Sequence, residues 1–480
     1  MISVKLIVSP EISKAEIRII PVKMGIKNEL LQRFDIPEKI ISEFKAEKSE
    51  TISFYPQNDS IHKKLIFIGL GENPSIQQFQ HTVRTVFHQL KNKDEKTTIL
   101  LDLPDVFTPE KDVHLITIAA GLGWNKMVSY KKKEETSGKL TLELLCPEKI
   151  YHSKKIIRDA IHTLVAKKMS MDLINMPSNI LGPKEFAKFA KKEADSRKIN
   201  VSILKEDELQ KKGFGAIMAV GQGAENQPRL IVLDYKPEKY SKTVAIIGKG
   251  VMFDTGGISI KSSTNMHYMK CDMGGAAIAF GAVCLAADLE LPVRVIMVVP
   301  SVMNMLDGSA YLPGDVITAY NGNSIEIIDT DAEGRLVLAD ALAYAALDLK
   351  PDVMIDLATL TGSAVTALGY HSAAMMTKNE ELSQELSKAG FSSGDRVWPL
   401  PMWDEYGEPL GSDVADVKNY AGPASGAIFA AKFLEKFTEN HPAWVHLDVA
   451  GMVLQQGNFG KDRVATGYGV ELLIEYLKTL

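Results

Sequence analysis

IIGKGVMFDTGGISIKSSTNMHYMKCDMGGAA, residues 246 to 277, opens as an apolar strand and then breaks at Gly248-Lys249-Gly250. Within the next two dozen residues come Asp254, Lys261 and Asp272, spaced by glycines. A second stretch of similar character, DTDAEGRLVLADAL at 329 to 342, places Asp329, Asp331, Glu333 and Arg335 just ahead of a helical pattern. Charged residues that leave a strand, followed by a helix, are the mark of an α/β sheet whose working loops lie at the carboxyl ends of its strands.

Working outward, strand patterns recur at 229–234, 243–247, 294–299, 352–358 and 444–449. Helical patterns lie at 275–289, 337–349 and 427–437. This alternation predicts a larger C-terminal catalytic α/β domain over 175–480, with a mostly parallel central sheet covered by helices on both faces. Upstream, residues 153–173 carry apolar positions at helical spacing opposite Lys and Arg. They read as a connecting helix over 151–174 that stops at the turn NMPSNILGP, residues 175–183. Residues 1–150 alternate strand patterns (3–8, 64–68, 97–101, 139–145) with helical ones (79–91, 113–122) and form a small N-terminal α/β domain. There is no internal repeat and no low-complexity tract.

Bulk properties narrow the function. The 480 residues carry a net charge of −5, which gives no support to a nucleic-acid partner. The run Lys131-Lys132-Lys133 is followed at once by Glu134-Glu135 and reads as a solvated loop. Three cysteines, Cys146, Cys271 and Cys284, lack CxxC spacing, which argues against a disulfide scaffold or a zinc knuckle and for a reducing compartment. The N-terminal MISVKLIVSPEIS reads as a first strand and not a signal peptide, and no apolar run is taken as long enough to span a bilayer, so the expected location is cytoplasmic.

Four or five carboxylates at the mouth of one sheet cannot all stay ionised without counter-charge. Divalent cations supply it, and oxygen ligands suit Mn²⁺, Mg²⁺ and Zn²⁺. Two ions about 3.5–4 Å apart need bridging carboxylates, and the cluster has enough of them. There is no HExxH and no His pair at helical spacing, which argues against the common single-zinc protease arrangement. A lysine in such a cluster is either a neutral ligand or a cation that polarises a carbonyl, while Arg335 can only hold an anion or clamp a charge. Each motif also has a plainer reading. Gly248-Lys249-Gly250 lacks the third glycine of a dinucleotide turn. Asp254-Thr255-Gly256 matches an aspartic-protease signature, but that chemistry needs a second such loop in an all-β fold. DAEGR alone is consistent with a helix N-terminus bearing favourable acids. His267 reads as a solvent-facing loop residue and Cys271 as a small packing residue.

The two stretches, together with NMPSN, VGQG, DLATLTG, HLDVAG and ATGYGV, resemble the leucyl aminopeptidase (cytosol aminopeptidase) family of two-metal exopeptidases. The likeness runs through the second domain; the first is similar in size and α/β character. The resemblance implies two divalent metal ions (Mn²⁺ or Zn²⁺). Asp254 and Glu333 would bridge them, Lys249 and Asp272 would complete the tighter ion, and Asp331 the more exchangeable one, partly through its carbonyl. It also implies Lys261 and Arg335 as catalytic residues, with bicarbonate bound at Arg335 as the base. Met269, Thr359, Leu360, Gly362 and Ala450 would wall the pocket for the first side chain. The implied reaction is release of N-terminal amino acids, Leu and similar apolar residues foremost, from peptides by a metal-bridged water. The implied assembly is a homohexamer, a dimer of trimers, with the first domain in an oligomer or regulatory role. Asp329 stands where the family usually has Asn, Lys270-Cys271 where it has Arg-Ala, and residues 417–431 follow its pattern loosely. Two other roles are open to such a chain: a bifunctional member that also binds DNA, and a catalytically silent relative, against which the intact Lys261 and Arg335 argue.

Overall fold

A computed structural model describes residues 2–480 except 27, 29–33, 35, 58–60, 92–95, 108, 133–137, 458 and 461. The end of the basic run at 131–133 and the acids that follow it therefore lie outside the described residues. The chain divides into two compact units, Met1–Val165 and Ala166–Leu480. The division falls inside the helix Lys154–Asn175.

The first unit is built on a six-stranded sheet in the order Ile2–Ile7, Leu140–Leu145, Thr97–Asp102, Ile17–Lys23, Lys64–Gly71, Thr51–Phe54. All neighbours are parallel except the last pair. Helices Ile76–Leu90 and Glu110–Trp124 supply Phe79, Val83, Val113 and Ile116 to its core.

The second unit holds a nine-stranded sheet. Its order is Val397–Pro399, Ala373–Met376, Trp444–Asp448, Val353–Ala358, Thr243–Gly248, Arg294–Asn304, Arg229–Tyr235, Asn200–Leu204, with Gly250–Asp254 also paired to Arg294–Asn304. The centre is parallel, and antiparallel pairs flank it at Ala373–Met376 and at the last two strands. Successive side chains on a strand point to opposite faces. Ala245, Ile247, Ile296 and Val298 share one core with Leu336, Val337 and Leu338 of the helix Glu333–Tyr344. Val244, Ile246, Val295 and Met297, equally buried, face the other side, where helix Gly274–Asp288 lies against the sheet. Both faces are thus dry, which explains why the central strands read as continuous apolar runs.

The expectation that no apolar run is long enough to span a bilayer is corrected by the stretch Met266–Asp288. By length and composition it is apolar enough to cross one, yet 89% of its most apolar window is buried inside the fold. Its apolarity is that of a helix covered on all sides by protein.

The central helix sits close to the sheet because of its glycines. A Cβ on Gly275 would lie 2.1 Å from Leu357 O and 3.0 Å from Lys249 N. That contact is with backbone, which cannot swing aside. Gly275→Ala is expected to lower unfolding stability by about 3 kcal/mol or more, by overpacking. Gly308, where an added Cβ would meet nothing within 4 Å, is the control; Gly308→Ala is expected to stay within about 0.5 kcal/mol of the parent. Urea midpoints of the three proteins check this, and equal midpoints for Gly275→Ala and Gly308→Ala would contradict it.

Candidate active site

Strand Thr243–Gly248 ends where Lys249 leaves the ladder. Its N–H still donates to Leu357 O at 2.9 Å, and its carbonyl accepts Ala276 N–H at 2.9 Å. The chain then rejoins the sheet as Gly250–Asp254. This interruption sends the Lys249 side chain into the protein, where it is 3% exposed. Its Nζ lies 2.9 Å from Asp272 Oδ2 and 2.7 Å from Glu333 Oε1, and donates to Thr359 O at 3.1 Å. The helix carrying Glu333 comes this close because its second residue is Gly334: a Cβ there would meet Lys249 Nζ at 2.6 Å.

Lys261 approaches from the loop after Asp254. Its Nζ is 2.8 Å from Asp254 Oδ2 and also pairs with Asp331 Oδ1. The structure therefore brings Lys249, Asp254, Lys261, Asp272, Asp331 and Glu333 into one linked cluster from four separate segments. Four carboxylates face two ammonium groups, which leaves two negative charges uncompensated. Ligand atoms of Asp254, Asp272 and Glu333 lie within 4.8 Å of one another, and all three residues are buried.

The electrostatics follow from that crowding. Burial, Asp254 and Glu333 push the Asp331 carboxyl up to about 7, against the pull of Lys261. Burial raises Asp272 and Glu333 as well, with neighbouring carboxylates adding to it. Burial alone would lower both lysines, but Asp272 and Glu333 at Lys249, and Asp254 and Glu333 at Lys261, outweigh it and raise them. Among the described residues, Asp272 Oδ2 and Glu333 Oε1 accept no hydrogen bond in good geometry although Lys249 is near both. Buried carboxylate oxygens that share one ammonium, in a cluster short of positive charge, are the donor set a divalent cation fits.

Supporting residues fix the orientation of these groups, and of them the sequence singles out only Thr359, as a pocket wall. Asn304 Nδ2 donates to Asp254 Oδ1 at 2.8 Å and to Thr330 O at 3.0 Å. Thr359 Oγ1 donates to Asp272 Oδ1 at 2.8 Å. Thr330 Oγ1 donates to Gly256 O at 2.7 Å and accepts Ser259 N–H at 2.8 Å, locking the two motif loops together. Asn419, in the loosely patterned stretch, accepts Ile328 N–H at 2.8 Å through Oδ1 and donates from Nδ2 to Asp329 O at 2.7 Å. The only sequence signal for Asn304 is its place at the end of a strand, and for Asn419 none beyond its polarity.

Arg335 is buried in the first turn of its helix. Nη1 donates to Asn419 O at 2.8 Å, and Nε has no hydrogen-bond partner among the described residues. Burial pushes its guanidinium down to about 10. Asp329 turns its Oδ1 back to accept Asp331 N–H at 2.9 Å, so this carboxylate braces the loop. Of the pocket residues, Thr359 touches the cluster directly, while Met269, Leu360 and Ala450 are half-buried and Gly362 is exposed. His267 is exposed, 3.9 Å from Asp462. Cys271 is buried with its thiol pushed up to about 12, consistent with a packing residue.

Comparison with known proteins agrees with this geometry. The profile described as "Cytosol aminopeptidase family, catalytic domain" matches residues 168–474. A protein named "Probable cytosol aminopeptidase" from Chlorobium phaeobacteroides is 38% identical over 472 residues, covering 94% of this chain and 93% of its own. One of the same name from Chlorobaculum tepidum is 47% identical over 308 residues, covering 64% of this chain and 61% of its own. Among solved structures, "Bottromycin maturation enzyme BotP in complex with Mn" superposes with a TM-score of 0.86 at 28% identity, covering 97% of this chain and 99% of its own. The similarities to the Chlorobium phaeobacteroides protein and to the Mn complex cover so much of the chain that they extend beyond the second unit into the first. With the profile spanning most of the chain and relatives this similar over almost its whole length, the protein belongs to the cytosol aminopeptidase family of peptidases.

Proposed function

We propose that this chain is a two-metal aminopeptidase that releases N-terminal amino acids, Leu and similar apolar residues foremost, from peptides. The observation that carries this is the cluster in which Asp331 joins the buried Asp254, Asp272 and Glu333, four carboxylates that formally carry two more negative charges than Lys249 and Lys261 neutralise. Asp254, paired with Lys261, and Glu333, paired with Lys249, would both hold the ions. Lys249 and Asp272 belong to one side and Asp331 to the other. The Mn-bound neighbour supports Mn²⁺, and Zn²⁺ shares the same donor chemistry. The buried, unpartnered Nε of Arg335 fits an oxyanion such as bicarbonate. When bound, these groups supply Lewis acidity, an acidified water and a proton acceptor.

The chain's own residues then have distinct tasks. Lys261, about a quarter exposed and held as an ammonium by Asp254 and Asp331, faces the open side of the cluster, where it stabilises a developing oxyanion. Lys249 is closed in on every side and serves the cluster itself. Asn304 and Thr359 keep one oxygen each of Asp254 and Asp272 turned away, so the other faces inward. Met269, Leu360 and Ala450 offer apolar surface beside the cluster for the first side chain. We further propose cytoplasmic location, a hexameric assembly and an oligomer or regulatory role for residues 1–150. Nothing favours DNA binding, and a salt-dependent gel shift tests it.

Activity against a panel of aminoacyl amides, with metal content measured on the same sample, tests the reading. Chelator-treated protein is expected to lose activity and regain it with Mn²⁺ or Zn²⁺, and N-acetylated substrates are expected to resist cleavage. Equal rates with and without metal would overturn the reading. Lys261→Ala is expected to cut kcat by about a hundredfold or more, the usual contribution of one oxyanion donor; an unchanged kcat in metal-loaded variant would remove Lys261 from catalysis.

The raised carboxyl groups also predict a pH dependence. In metal-free protein the folded state holds a proton on Asp331 up to about pH 7, whereas the ordinary value is 3.8. That contribution to stability is complete below the ordinary value and is lost as pH rises through about 7. Thermal midpoints of chelator-treated protein are therefore expected to fall across that interval. Asp331→Asn is expected to lessen the slope and bound metal to remove most of it. A midpoint that rises across the same interval would contradict this.

A further inference from the structure

Strands Val353–Ala358 and Trp444–Asp448 run parallel and leave the sheet side by side. The turn after the first begins with Thr359, which touches both Asp272 and Lys249. Leu360 and Thr361 thus start at the edge of the acidic cluster, and Ala450 follows the second strand. The residues just before these segments are buried, while Leu360, Thr361 and Ala450 are half-exposed.

One carboxylate ties the two segments together. Asp448, 1% exposed, accepts Leu360 N–H at 3.2 Å and Ala450 N–H at 3.1 Å on Oδ1, and Thr361 Oγ1–H at 2.7 Å on Oδ2. Behind it, Trp444, His446 and Asp448 alternate along one face of their strand, and Asp356 is the register partner of His446. Trp444 Nε1 donates to Asp356 Oδ2 at 2.8 Å, and His446 Nδ1 lies 2.5 Å from Asp356 Oδ1. His446 is wholly buried, and its Nε2 has no hydrogen-bond partner among the described residues. Burial disfavours its charge, but Asp356 and then Asp448 outweigh this and raise its pKa. The imidazole is thus held by one carboxylate and lies two residues from another on the same strand face.

We propose that Asp448 is the positioning residue that sets the width of the pocket for the substrate's first side chain, with His446, anchored on Asp356, set behind it on the same strand face. The assignment rests on the aminopeptidase reading above. Leu360 and Ala450 follow different strands, and Asp448 is the group that both segments bind. Releasing either tie changes the gap between them and leaves Lys249, Asp254, Asp272 and Glu333 in place.

The test is kcat/KM for leucine, alanine and phenylalanine amides, with metal-loaded wild type, Thr361→Val, Thr361→Ser, Asp448→Asn and His446→Gln. Metal content is measured on each. Thr361→Val and Asp448→Asn are expected to shift the leucine-to-alanine ratio by about fivefold or more, mainly through KM, with metal content unchanged. Thr361→Ser, which keeps the hydroxyl, is expected to stay within about twofold of wild type, and His446→Gln to move the ratio in the same direction as Asp448→Asn. A purely structural defect lowers the active fraction and scales all three substrates together, so unchanged ratios would overturn the assignment. Should the buried variants fail to fold, the Thr361→Val and Thr361→Ser pair decides it. A wild type without metal-dependent release of amino acids overturns the peptidase reading and this assignment together; an active wild type with fixed ratios in the variants overturns this assignment alone.

Discussion

The structure turns on the burial of like charges. Asp254, Asp272 and Glu333 are nearly inaccessible, and each lies within reach of another carboxylate. Taking one such group out of water already costs several kcal/mol unless an opposite charge meets it. Lys249 meets two of them, and it does so only because the strand that carries it breaks for one residue between Gly248 and Gly250. The adjacent features serve that placement. Gly275 lets a helix approach the break, Gly334 makes room for the ammonium, and Asn304 and Thr359 hold the acids to one orientation.

Burial also separates the two lysines by task. Lys249 contacts Asp272, Glu333 and the Thr359 carbonyl and has no open side. Lys261 keeps 24% of its side chain exposed and lies at the end of a solvent-reaching loop. The same residue type in the same cluster is therefore enclosed in one position and partly open to solvent in the other. Composition and spacing cannot distinguish them, which is why the residues alone leave both readings of a cluster lysine open.

Much of the second unit is readable from sequence because its central strands are buried on both faces and its helices are long. The runs at 243–247, 294–299 and 444–449 fall on strands. Other elements are hidden for physical reasons. Ile17–Lys23 contains Pro21, which reads against an interior strand; it is tolerated because pairing with Thr97–Asp102 stops at Ile19. Ala373–Met376 has no β-branched residue, and its burial in the sheet is what makes it a strand. In the site, charged residues in the motif loops are legible from sequence, while Asn304, Asn419 and Asp448 are not. Their role depends on which segments the topology places side by side, and a neutral amide or a lone acid at the end of a strand carries no local sign of that.

The interrupted strand has a consequence for how the protein is made. Lys249, Asp254 and Asp272 leave the ribosome well before Glu333, and Thr359 follows later still. Sheet pairing at Lys249 needs Leu357, more than a hundred residues downstream. Closing a loop of that length precedes any reward from the contacts it allows. The half-made chain therefore displays its acids separately, each solvated and each a weak ligand, and acquires their mutual repulsion only as the sheet closes. Assembly of the cluster is a late event in folding, and a cation that settles there acts as a clasp on strands far apart in the order of synthesis.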